Sequence, residues 1–199
     1  VTAVFAPDSF TLTYAAGDGG TVTGVVTQTV LHGGSGSAIS AAGTTGRHFV
    51  RWSDGSTDNP RTDTHVEADL SVTAEFAVDT FTLTYTAGEH GTITGTAAQT
   101  VEYGAGGSTV TAVPDGHCHF VQWSDGVMTA DRTDSFIMAN LGVTAEFALD
   151  TRTLAYAAGE HGSITGPARQ TVDYGADGAA VTATPDTGYH FVQWSDGVM

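Results

Sequence analysis

Aspartates that recur in Ser-Asp-Gly triplets are the first side chains in this sequence with the chemistry of a binding site. They stand at Asp54, Asp125 and Asp196. Together with Asp131 and Asp134, Asp125 could supply some of the six to eight oxygens that a calcium ion requires. These neighbours do not recur, however, because Pro60 occupies the position that matches Asp131. The simpler interpretation is that each aspartate shapes a turn ahead of its glycine, and a weak calcium site is the alternative.

Arginine also recurs in a setting rich in carboxylates. Arg61 and Arg132 each begin an Arg-Thr-Asp triplet, and Arg132 is the only cation among eight acids in residues 79–149. An isolated guanidinium among carboxylates pairs with them through charge-assisted hydrogen bonds. We therefore expect a partly buried ion pair rather than a binding site. The candidate partners are Asp63 and Asp54 for the first arginine, and Asp134 and Asp125 for the second.

Histidine precedes Phe-Val in three places, at His48, His119 and His190. An aspartate follows each of them six residues later, which is about 20 Å along an extended strand. The two side chains therefore cannot form a catalytic pair along that strand, and we expect packed, hydrogen-bonded histidines. No Ser-His-Asp, carboxylate-pair, Cys-His or phosphate-loop arrangement recurs in the chain. The sequence thus predicts no enzymatic activity and no cofactor.

The composition excludes several classes of protein. The 199 residues include 22 acidic and 6 basic side chains, which gives a formal net charge of −16. Nucleic-acid binding requires a density of basic residues that this chain lacks, and no apolar run approaches the roughly 20 residues of a membrane span. The single cysteine, Cys118, cannot form an intrachain disulfide or a paired-cysteine metal site. Because the chain starts at Val1 without a signal peptide, we expect an internal fragment of a longer protein.

A period of 71 residues organises the whole sequence. The period relates Trp52, Trp123 and Trp194 to one another, and it likewise relates Tyr14, Tyr85 and Tyr156. Residues 72–128 and 143–199 agree at 42 of 57 positions, which indicates tandem duplication of similar units. We divide the chain into the last strand of a preceding repeat at 1–6, repeat 1 at 7–77, repeat 2 at 78–148, and an incomplete repeat 3 at 149–199.

Each repeat has the pattern of β structure. Residues 81–85, Phe-Thr-Leu-Thr-Tyr, alternate apolar and polar side chains with the period of a strand. Six further short strands are predicted in repeat 2, around 93, around 101–103, and at 108–113, 119–123, 132–137 and 143–147. No stretch of the chain has a sustained helical periodicity. The predicted fold class is therefore mainly β, in tandem small domains.

The tryptophans and tyrosines that recur with the repeat are predicted to build its core. In the strand at 119–123, Val121 and Trp123 share one face and Phe120 and Gln122 share the other. Large apolar side chains on both faces indicate a strand that is covered on both sides. The alternative is that the tryptophans form an exposed aromatic platform for a sugar.

The links between repeats are short. Residues 77–80 and 148–151 contain no glycine or proline, and so short a link is no free hinge. From Phe76 to Phe81 and Tyr85 the separations are odd, so the inward face must flip at the junction unless a bulge restores it. We therefore expect repeats that are rotated strongly about Asp79 and Asp150 and that together form an elongated rod.

The order of these blocks resembles the divergent bacterial branch of the internalin-B-type B-repeat superfamily. The matching blocks are F-T-L-T-Y, G-x-I-T-G, Q-T-V-x-Y-G, V-T-A-x-P-x-x-G-Y-x-F-V-x-W-S-D-G, R-T-D and V-T-A-x-F-A. Repeat 3 matches best, whereas repeat 2 has His117 and Cys118 in place of the Gly-Tyr pair. The resemblance implies a small β-grasp-like or β-sandwich-like domain, and it brings no catalytic residues.

The resemblance also implies a large secreted or surface-anchored bacterial protein. Our leading hypothesis is an extracellular stalk or filament of a surface adhesin, in which folded units separate a tip from the cell. Its partners would be neighbouring repeats of the same chain and, in a filament, other copies of the chain. The alternative is a multivalent carbohydrate- or protein-binding module whose array supplies avidity, with an unidentified ligand on a host surface or matrix.

Overall fold

The structure is a computed structural model that describes all residues, Val1–Met199. It consists of 17 β-strands and contains no helix, so the mainly β fold class is confirmed. No helix is present that has the length and apolar character needed to cross a lipid bilayer. The chain divides into two compact units. One comprises Val1–Thr84, Ala98–Thr109 and Thr133–Gly142, and the other comprises Tyr85–Ala97, Val110–Arg132 and Val143–Met199.

Repeat 1 is built on a four-stranded sheet. Its strands are β1 (Ser9–Ala16), β3 (Thr27–Leu31), β5 (Arg47–Trp52) and β6 (Leu70–Val78), in the spatial order β3-β1-β6-β5. β1 pairs antiparallel with β3 but parallel with β6, where Leu12 lies opposite Leu70 and Tyr14 lies opposite Val72. β6 also pairs antiparallel with β5. The last strand of the repeat is therefore a central strand of its sheet.

A smaller sheet completes repeat 1. β2 (Gly20–Thr23) pairs antiparallel with β4 (Ser40–Gly43), and an isolated bridge joins Ile39 to Arg61. Both sheets contribute to one core, because alternation along each strand directs its apolar side chains to the same side. The buried residues of this core are Leu12, Tyr14, Val30, Ile39, Ala41, Trp52, Val66, Val72 and Ala74.

Two glycines, one just after β1 and one at the start of β2, allow β6 to pass close to the segment that joins these two strands. A Cβ atom on Gly20 would overlap the ring of Phe76, so only glycine fits beside this ring. The N–H of Gly17 donates a 2.9 Å hydrogen bond to the carbonyl oxygen of Ala74. A Cβ atom on Gly17 would lie 2.7 Å from that oxygen. Glycine at these two positions therefore leaves the room that the central strand β6 needs.

Repeat 2 has the same architecture. Its four-stranded sheet has the order β11-β13-β7-β9, with β7 (Thr80–Ala87), β9 (Ala98–Glu102), β11 (Cys118–Trp123) and β13 (Leu141–Leu149). Its smaller sheet has the order β12-β10-β8, with β8 (Gly91–Thr94), β10 (Val110–Pro114) and β12 (Asp131–Arg132). The strand predicted at 132–137 is wrong beyond its first residue, because Phe136 has a φ of 55° that no strand accommodates.

β11 and β5, the fifth strands of their repeats, each contain a β-bulge, so their side chains face differently from what the sequence predicted. The register of β11 against β13 shifts between Phe120 and Gln122, and β5 has the same irregularity. Val121 is exposed, whereas the Phe120 and Trp123 rings contact each other with centroids 6.1 Å apart. The extra residue of the bulge brings both rings to one side of the strand. The prediction of a strand covered on both faces is therefore wrong.

Repeat 3 contains only two pairs of strands. β14 (Thr151–Ala155) pairs with β16 (Arg169–Asp173), and β15 (Gly162–Thr165) pairs with β17 (Thr182–Pro185). Residues 189–194, which correspond to β5 and β11, form no strand. Because no counterpart of β6 or β13 lies beside them, Trp194 is only half-buried, whereas Trp52 and Trp123 are fully buried.

Candidate functional site: arginine clusters and repeat junctions

Arg61 lies at the centre of a polar cluster in repeat 1. Its guanidinium donates two parallel hydrogen bonds to Asp63, from Nε to Oδ2 at 2.8 Å and from Nη2 to Oδ1 at 2.7 Å. A third bond of 2.9 Å joins Nη1 to Oδ1 of Asp54. The side chain is 7% exposed, and its guanidinium carbon lies 5.6 Å from the centre of the Trp52 ring. The contacts of Arg61 with two carboxylates and an indole ring thus hold the segment 54–63 against the core of the repeat.

Tyr14 connects β1 to this arginine cluster. Its hydroxyl donates a 2.6 Å hydrogen bond to Oδ2 of Asp63, and its ring meets Trp52 edge-on with centroids 5.9 Å apart. Burial, and then the carboxylate of Asp63, raise the pKa of the tyrosine hydroxyl well above its ordinary value. The hydrogen bonds from Arg61 lower the pKa of Asp63. The tyrosine is therefore a neutral donor and the aspartate an ionised acceptor at neutral pH.

Repeat 2 contains a corresponding cluster. Arg132 donates hydrogen bonds of 2.8 and 2.7 Å to the two oxygens of Asp125 and lies 5.5 Å from the centre of the Trp123 ring. The hydrogen bonds from this arginine lower the pKa of Asp125. Tyr85 meets Trp123 edge-on with centroids 5.9 Å apart. The structure thus places both recurrent arginines in buried ion pairs whose aspartates are among the candidates drawn from the sequence.

Two of the candidate calcium ligands of repeat 2, Asp125 and Asp131, bond other protein side chains through their carboxylates. Asp125 holds Arg132, and Asp131 accepts a 2.6 Å hydrogen bond from the Thr111 hydroxyl. The backbone carbonyl of Asp134 accepts a 2.9 Å hydrogen bond from the Gly107 N–H. No group of three or more His, Cys, Asp or Glu side chains in the chain is arranged to hold a metal ion.

The aspartates of the Ser-Asp-Gly triplets also cap their own turns. Asp54 accepts a 3.2 Å hydrogen bond from the Ser56 N–H, and Asp196 accepts one of 3.2 Å from the Val198 N–H. This is the Asx-turn geometry that favours aspartate before glycine. In repeat 3, Tyr156 and Trp194 keep their edge-on contact, with centroids 5.8 Å apart.

Junction 1, formed by Gly46, His48, Asp79 and Tyr103, joins repeat 1 to repeat 2. Asp79 is the only residue between β6 and β7. Its N–H donates a 2.9 Å hydrogen bond to the Gly46 carbonyl, and its own carbonyl accepts a 2.8 Å hydrogen bond from the Tyr103 N–H. Its carboxylate lies 2.7 Å from Nδ1 of His48. A single residue is therefore bonded to the backbone of both repeats.

The Tyr103 ring lies directly against the backbone of Gly46. A Cβ atom on Gly46 would overlap Cγ and Cδ1 of this ring. Gly46 also has a φ of 73°, in the left-handed region that L side chains rarely adopt. Glycine thus serves two purposes in junction 1, since it provides the turn and leaves room for an aromatic ring from the next repeat.

Junction 2, formed by His117, His119, Asp150 and Tyr174, joins repeat 2 to repeat 3. The Asp150 N–H donates a 2.8 Å hydrogen bond to the His117 carbonyl, and the Asp150 carbonyl accepts one of 2.7 Å from the Tyr174 N–H. The carboxylate lies 3.0 Å from Nδ1 of His119. Here a side chain replaces Gly46, and the His117 ring stacks on Tyr174 with centroids 3.6 Å apart and planes at 9°. The backbone bonds of the two junctions are the same, but their ring contacts differ.

The sequence singled out the two junction aspartates but missed their histidine partners. Packed, hydrogen-bonded histidines were predicted. His48 and His119 are hydrogen-bonded, but their side chains are 57% and 54% exposed, so the prediction that they are packed is wrong. Each histidine precedes its aspartate by 31 residues, and this joint recurrence was the available signal. An exposed contact between a histidine and a carboxylate contributes at most about 1 kcal/mol. The backbone hydrogen bonds and the ring contacts therefore stabilise each junction more than the histidine–aspartate contact does.

A comparison with protein families matches the chain to the divergent InlB B-repeat domain. The matched segments are 10–80, 81–151 and 152–199, which together cover nearly the whole chain. The matched segments have the 71-residue period of the sequence. Each begins three residues after the repeat boundary predicted from the sequence, and those boundaries remain a prediction. No curated protein and no solved structure was found to match. Repeats of this family point to a tandem-repeat segment of a bacterial surface or extracellular protein. The chain belongs to the divergent InlB B-repeat family and contains three of its repeats in tandem.

Proposed function

We propose that this chain is a spacer segment of a bacterial surface adhesin, in which tandem repeats form a stiff extracellular stalk. The observation that carries this proposal is the one-residue connection between repeats. Only Asp79 separates β6 from β7, and only Asp150 separates β13 from β14. Both aspartates are hydrogen-bonded to the backbone of both adjoining repeats. Such a link lacks the freedom of a flexible linker, so that each repeat added to the series lengthens the stalk.

The burial of the recurrent tryptophans favours this function over a multivalent carbohydrate-binding module. Trp52 and Trp123 are 0% exposed, so neither ring offers a face on which a sugar could stack. The recurrent arginines and aspartates are likewise engaged with one another inside their repeats. The proposal therefore assigns the chain no reaction and no cofactor, and it assigns the polar clusters to the stability of each unit.

Small-angle X-ray scattering on chains of two, three and four repeats tests the stalk. A compact 71-residue unit is about 30 Å across. If the junctions are stiff, the maximum dimension grows by a nearly constant step of roughly 30–40 Å for each added repeat. A plateau in the maximum dimension, or growth with the square root of repeat number, contradicts the proposal.

A variant with a loosened junction is the matched control. Inserting Gly-Ser-Gly-Ser-Gly between Val78 and Asp79 interrupts neither strand, because β6 ends at Val78 and β7 begins at Thr80. Each repeat of the variant should still fold, while the scattering should show a broader distribution of dimensions. If the insertion leaves the scattering unchanged, junction 1 is not the source of stiffness. If added oligosaccharides bind while the maximum dimension fails to grow with repeat number, the binding-module alternative gains support.

A further inference from the structure

Repeat 2 contains two Asp-Gly pairs, and the fold holds them differently. One is Asp125–Gly126 of the Ser-Asp-Gly triplet, and the other is Asp115–Gly116 in the turn between β10 and β11. An Asp-Gly pair is prone to cyclise, because glycine has no Cβ atom that keeps its nitrogen away from the preceding carboxyl group. Whether a given pair reacts then depends on how the fold holds that carboxyl group and that nitrogen.

Both reacting groups of Asp125–Gly126 are held in place. The Asp125 carboxylate accepts hydrogen bonds of 2.8 and 2.7 Å from Arg132. The Gly126 N–H donates a 2.7 Å hydrogen bond to the carbonyl oxygen of Trp123. The Ser-Asp-Gly triplet of repeat 1 has equivalent bonds. Cyclisation at these triplets therefore requires the arginine pair and a backbone hydrogen bond to open first.

The Asp115–Gly116 pair has neither restraint. Both residues are exposed. The Asp115 carboxylate has no hydrogen-bond or ion-pair partner, and the Gly116 N–H donates no hydrogen bond. A Cβ atom on Gly116 would meet nothing within 4 Å, so no neighbouring group covers this glycine. The carboxyl group and the nitrogen that would react are thus both free.

The turn itself does not require glycine at position 116. Thr45 and Thr187 occupy the matching positions of repeats 1 and 3. Gly116 does not have a positive φ, so a residue with a side chain can adopt its conformation. The hydrogen bond that closes the turn is 3.0 to 3.1 Å long in all three repeats. The reactive pair is therefore a property of the repeat 2 sequence and not a requirement of the fold.

We propose that Asp115 converts spontaneously to isoaspartate in the folded chain and that this conversion loosens junction 2. The Gly116 nitrogen attacks Cγ of the protonated Asp115 carboxyl group. The proton of the nitrogen and the hydroxyl of the carboxyl group leave as one water molecule, and the new C–N bond closes a succinimide ring. Water then adds to one of the two ring carbonyl carbons, and the bond from that carbon to nitrogen breaks. Opening at Cγ restores aspartate, whereas opening at the backbone carbonyl carbon gives isoaspartate.

The product alters the turn that carries the histidine of junction 2. Isoaspartate lengthens the main chain by one methylene group just before His117, and it turns the Asp115 carbonyl that accepts the Cys118 N–H into a carboxylate. The His117 carbonyl accepts the Asp150 N–H, and its ring stacks on Tyr174. Displacement of this turn therefore weakens both contacts. Junction 1 has two threonines at the matching positions and cannot react in this way.

Peptide mapping of the whole chain after prolonged incubation at neutral pH tests the reaction. Isoaspartate has the mass of aspartate but resists an endoproteinase that is specific for aspartate, and the succinimide is lighter by one water. In the folded chain, Asp115 should convert at least roughly ten times as fast as Asp125, whose hydrogen bonds must open first. In urea the difference should disappear. Equal conversion of the two aspartates in the folded chain, or no conversion of Asp115, would overturn the proposal.

Gly116→Thr is the matched control, because it copies the residue that repeats 1 and 3 carry in the same turn. It should fold like the original chain and form no isoaspartate at Asp115. In the aged original chain, amide hydrogen exchange should accelerate at Asp150 and Tyr174 but not at Tyr103 of junction 1. The aged Gly116→Thr chain should show no acceleration. Conversion that persists in Gly116→Thr, or unchanged exchange at Asp150 in the converted chain, contradicts the proposal.

Discussion

Each complete repeat holds its tryptophan between three side chains from different parts of the unit. Trp52 contacts Tyr14 of β1, Phe49 of its own strand, and Arg61 of the loop beyond it. The indole N–H also donates a 2.9 Å hydrogen bond to the Asp58 carbonyl. The ring of Trp52 therefore links β1, β5 and the loop after β5 in one set of contacts.

Removing the indole of Trp123 should be strongly destabilising. Trp123→Ala creates a large cavity and deprives Tyr85, Phe120 and Arg132 of their common contact, so we expect a loss of about 3–5 kcal/mol. Trp194→Ala is the control, because Trp194 is only half-buried and its loss should cost less. Urea unfolding of the two variants measures the difference. If Trp123→Ala left unfolding unchanged but abolished binding of a ligand, the tryptophan would belong to a binding site.

The arginine cluster should make the acid stability of repeat 1 depend on Asp63. Arg61 holds the pKa of Asp63 below its ordinary value of 3.8 in the folded chain. The stabilisation is therefore complete above about pH 4 and is lost as the pH falls through the lower folded pKa. Asp63→Asn should cost about 1–3 kcal/mol at neutral pH and make the acid decline in stability shallower.

Urea unfolding from about pH 7 down to about pH 2 measures this effect of Asp63. Asp58→Asn is a suitable control, because Asp58 is exposed in the same segment of the chain. The control should follow the original protein over the whole pH range. An Asp63→Asn variant with the same acid decline as the original protein would show that the Arg61 pair carries none of it.

At the scale of strands, the alternation of apolar and polar side chains predicted most of the strands. It failed at the β-bulge and could not predict which strands are neighbours. The strand at 81–85 was confirmed within β7, because Leu83 and Tyr85 are buried on one face. Alternation could not reveal the bulge beside Val121, since an extra residue in one strand becomes visible only against its partner. It also could not reveal that β1 and β6 are parallel neighbours, because pairing between strands 58 residues apart leaves no local pattern.

The polar clusters were easier to anticipate than the contacts between repeats. The recurrence of Arg61 and Arg132 among acids indicated ion pairs, since the 71-residue period preserves both partners of a pair. The ring contacts of the junctions could not be anticipated in this way. Junction 1 places Gly46 against Tyr103, and junction 2 stacks His117 on Tyr174. Tyr103 and Tyr174 recur with the period, but Gly46 and His117 differ, so the pair of residues in contact does not repeat.

The contact between Gly46 and Tyr103 predicts that Gly46→Ala destabilises the fold by more than backbone strain alone. Gly33→Ala measures the strain by itself. Gly33 has a φ of 75°, close to the 73° of Gly46, but a Cβ on Gly33 would meet nothing within 4 Å. Gly33→Ala should therefore cost only the left-handed strain of about 1–2 kcal/mol. Gly46→Ala should cost about 1–3 kcal/mol more, because the near end of the Tyr103 side chain must move.

Amide hydrogen exchange at Tyr103 reports directly on junction 1. Its N–H is bonded to the Asp79 carbonyl, so opening of the junction exposes it to solvent. The exchange should accelerate in Gly46→Ala and stay near the original rate in Gly33→Ala. Equal rates in the two variants would show that the ring contact does not fasten the junction.

Over the whole chain, the charge of −16 sets the response to salt. Carboxylates that are not paired with the six arginines repel one another, and this repulsion is screened within about 8 Å at physiological ionic strength. We therefore expect the melting temperature to rise from low salt to molar NaCl, and to rise also with millimolar divalent cations. Thermal unfolding followed by circular dichroism measures the change. A melting temperature that stays flat or falls with added NaCl would contradict the prediction.

A repeat under tension is pulled through two strands that lie side by side and run in the same direction. Force enters β1 at Ser9 and leaves β6 at Val78, and these residues lie at opposite ends of the parallel pair. The pull therefore slides one strand along the other, in shear, instead of peeling them apart from one end. The backbone hydrogen bonds between the two strands then bear the load together, so that the strand which closes repeat 1 is also the strand that resists its extension.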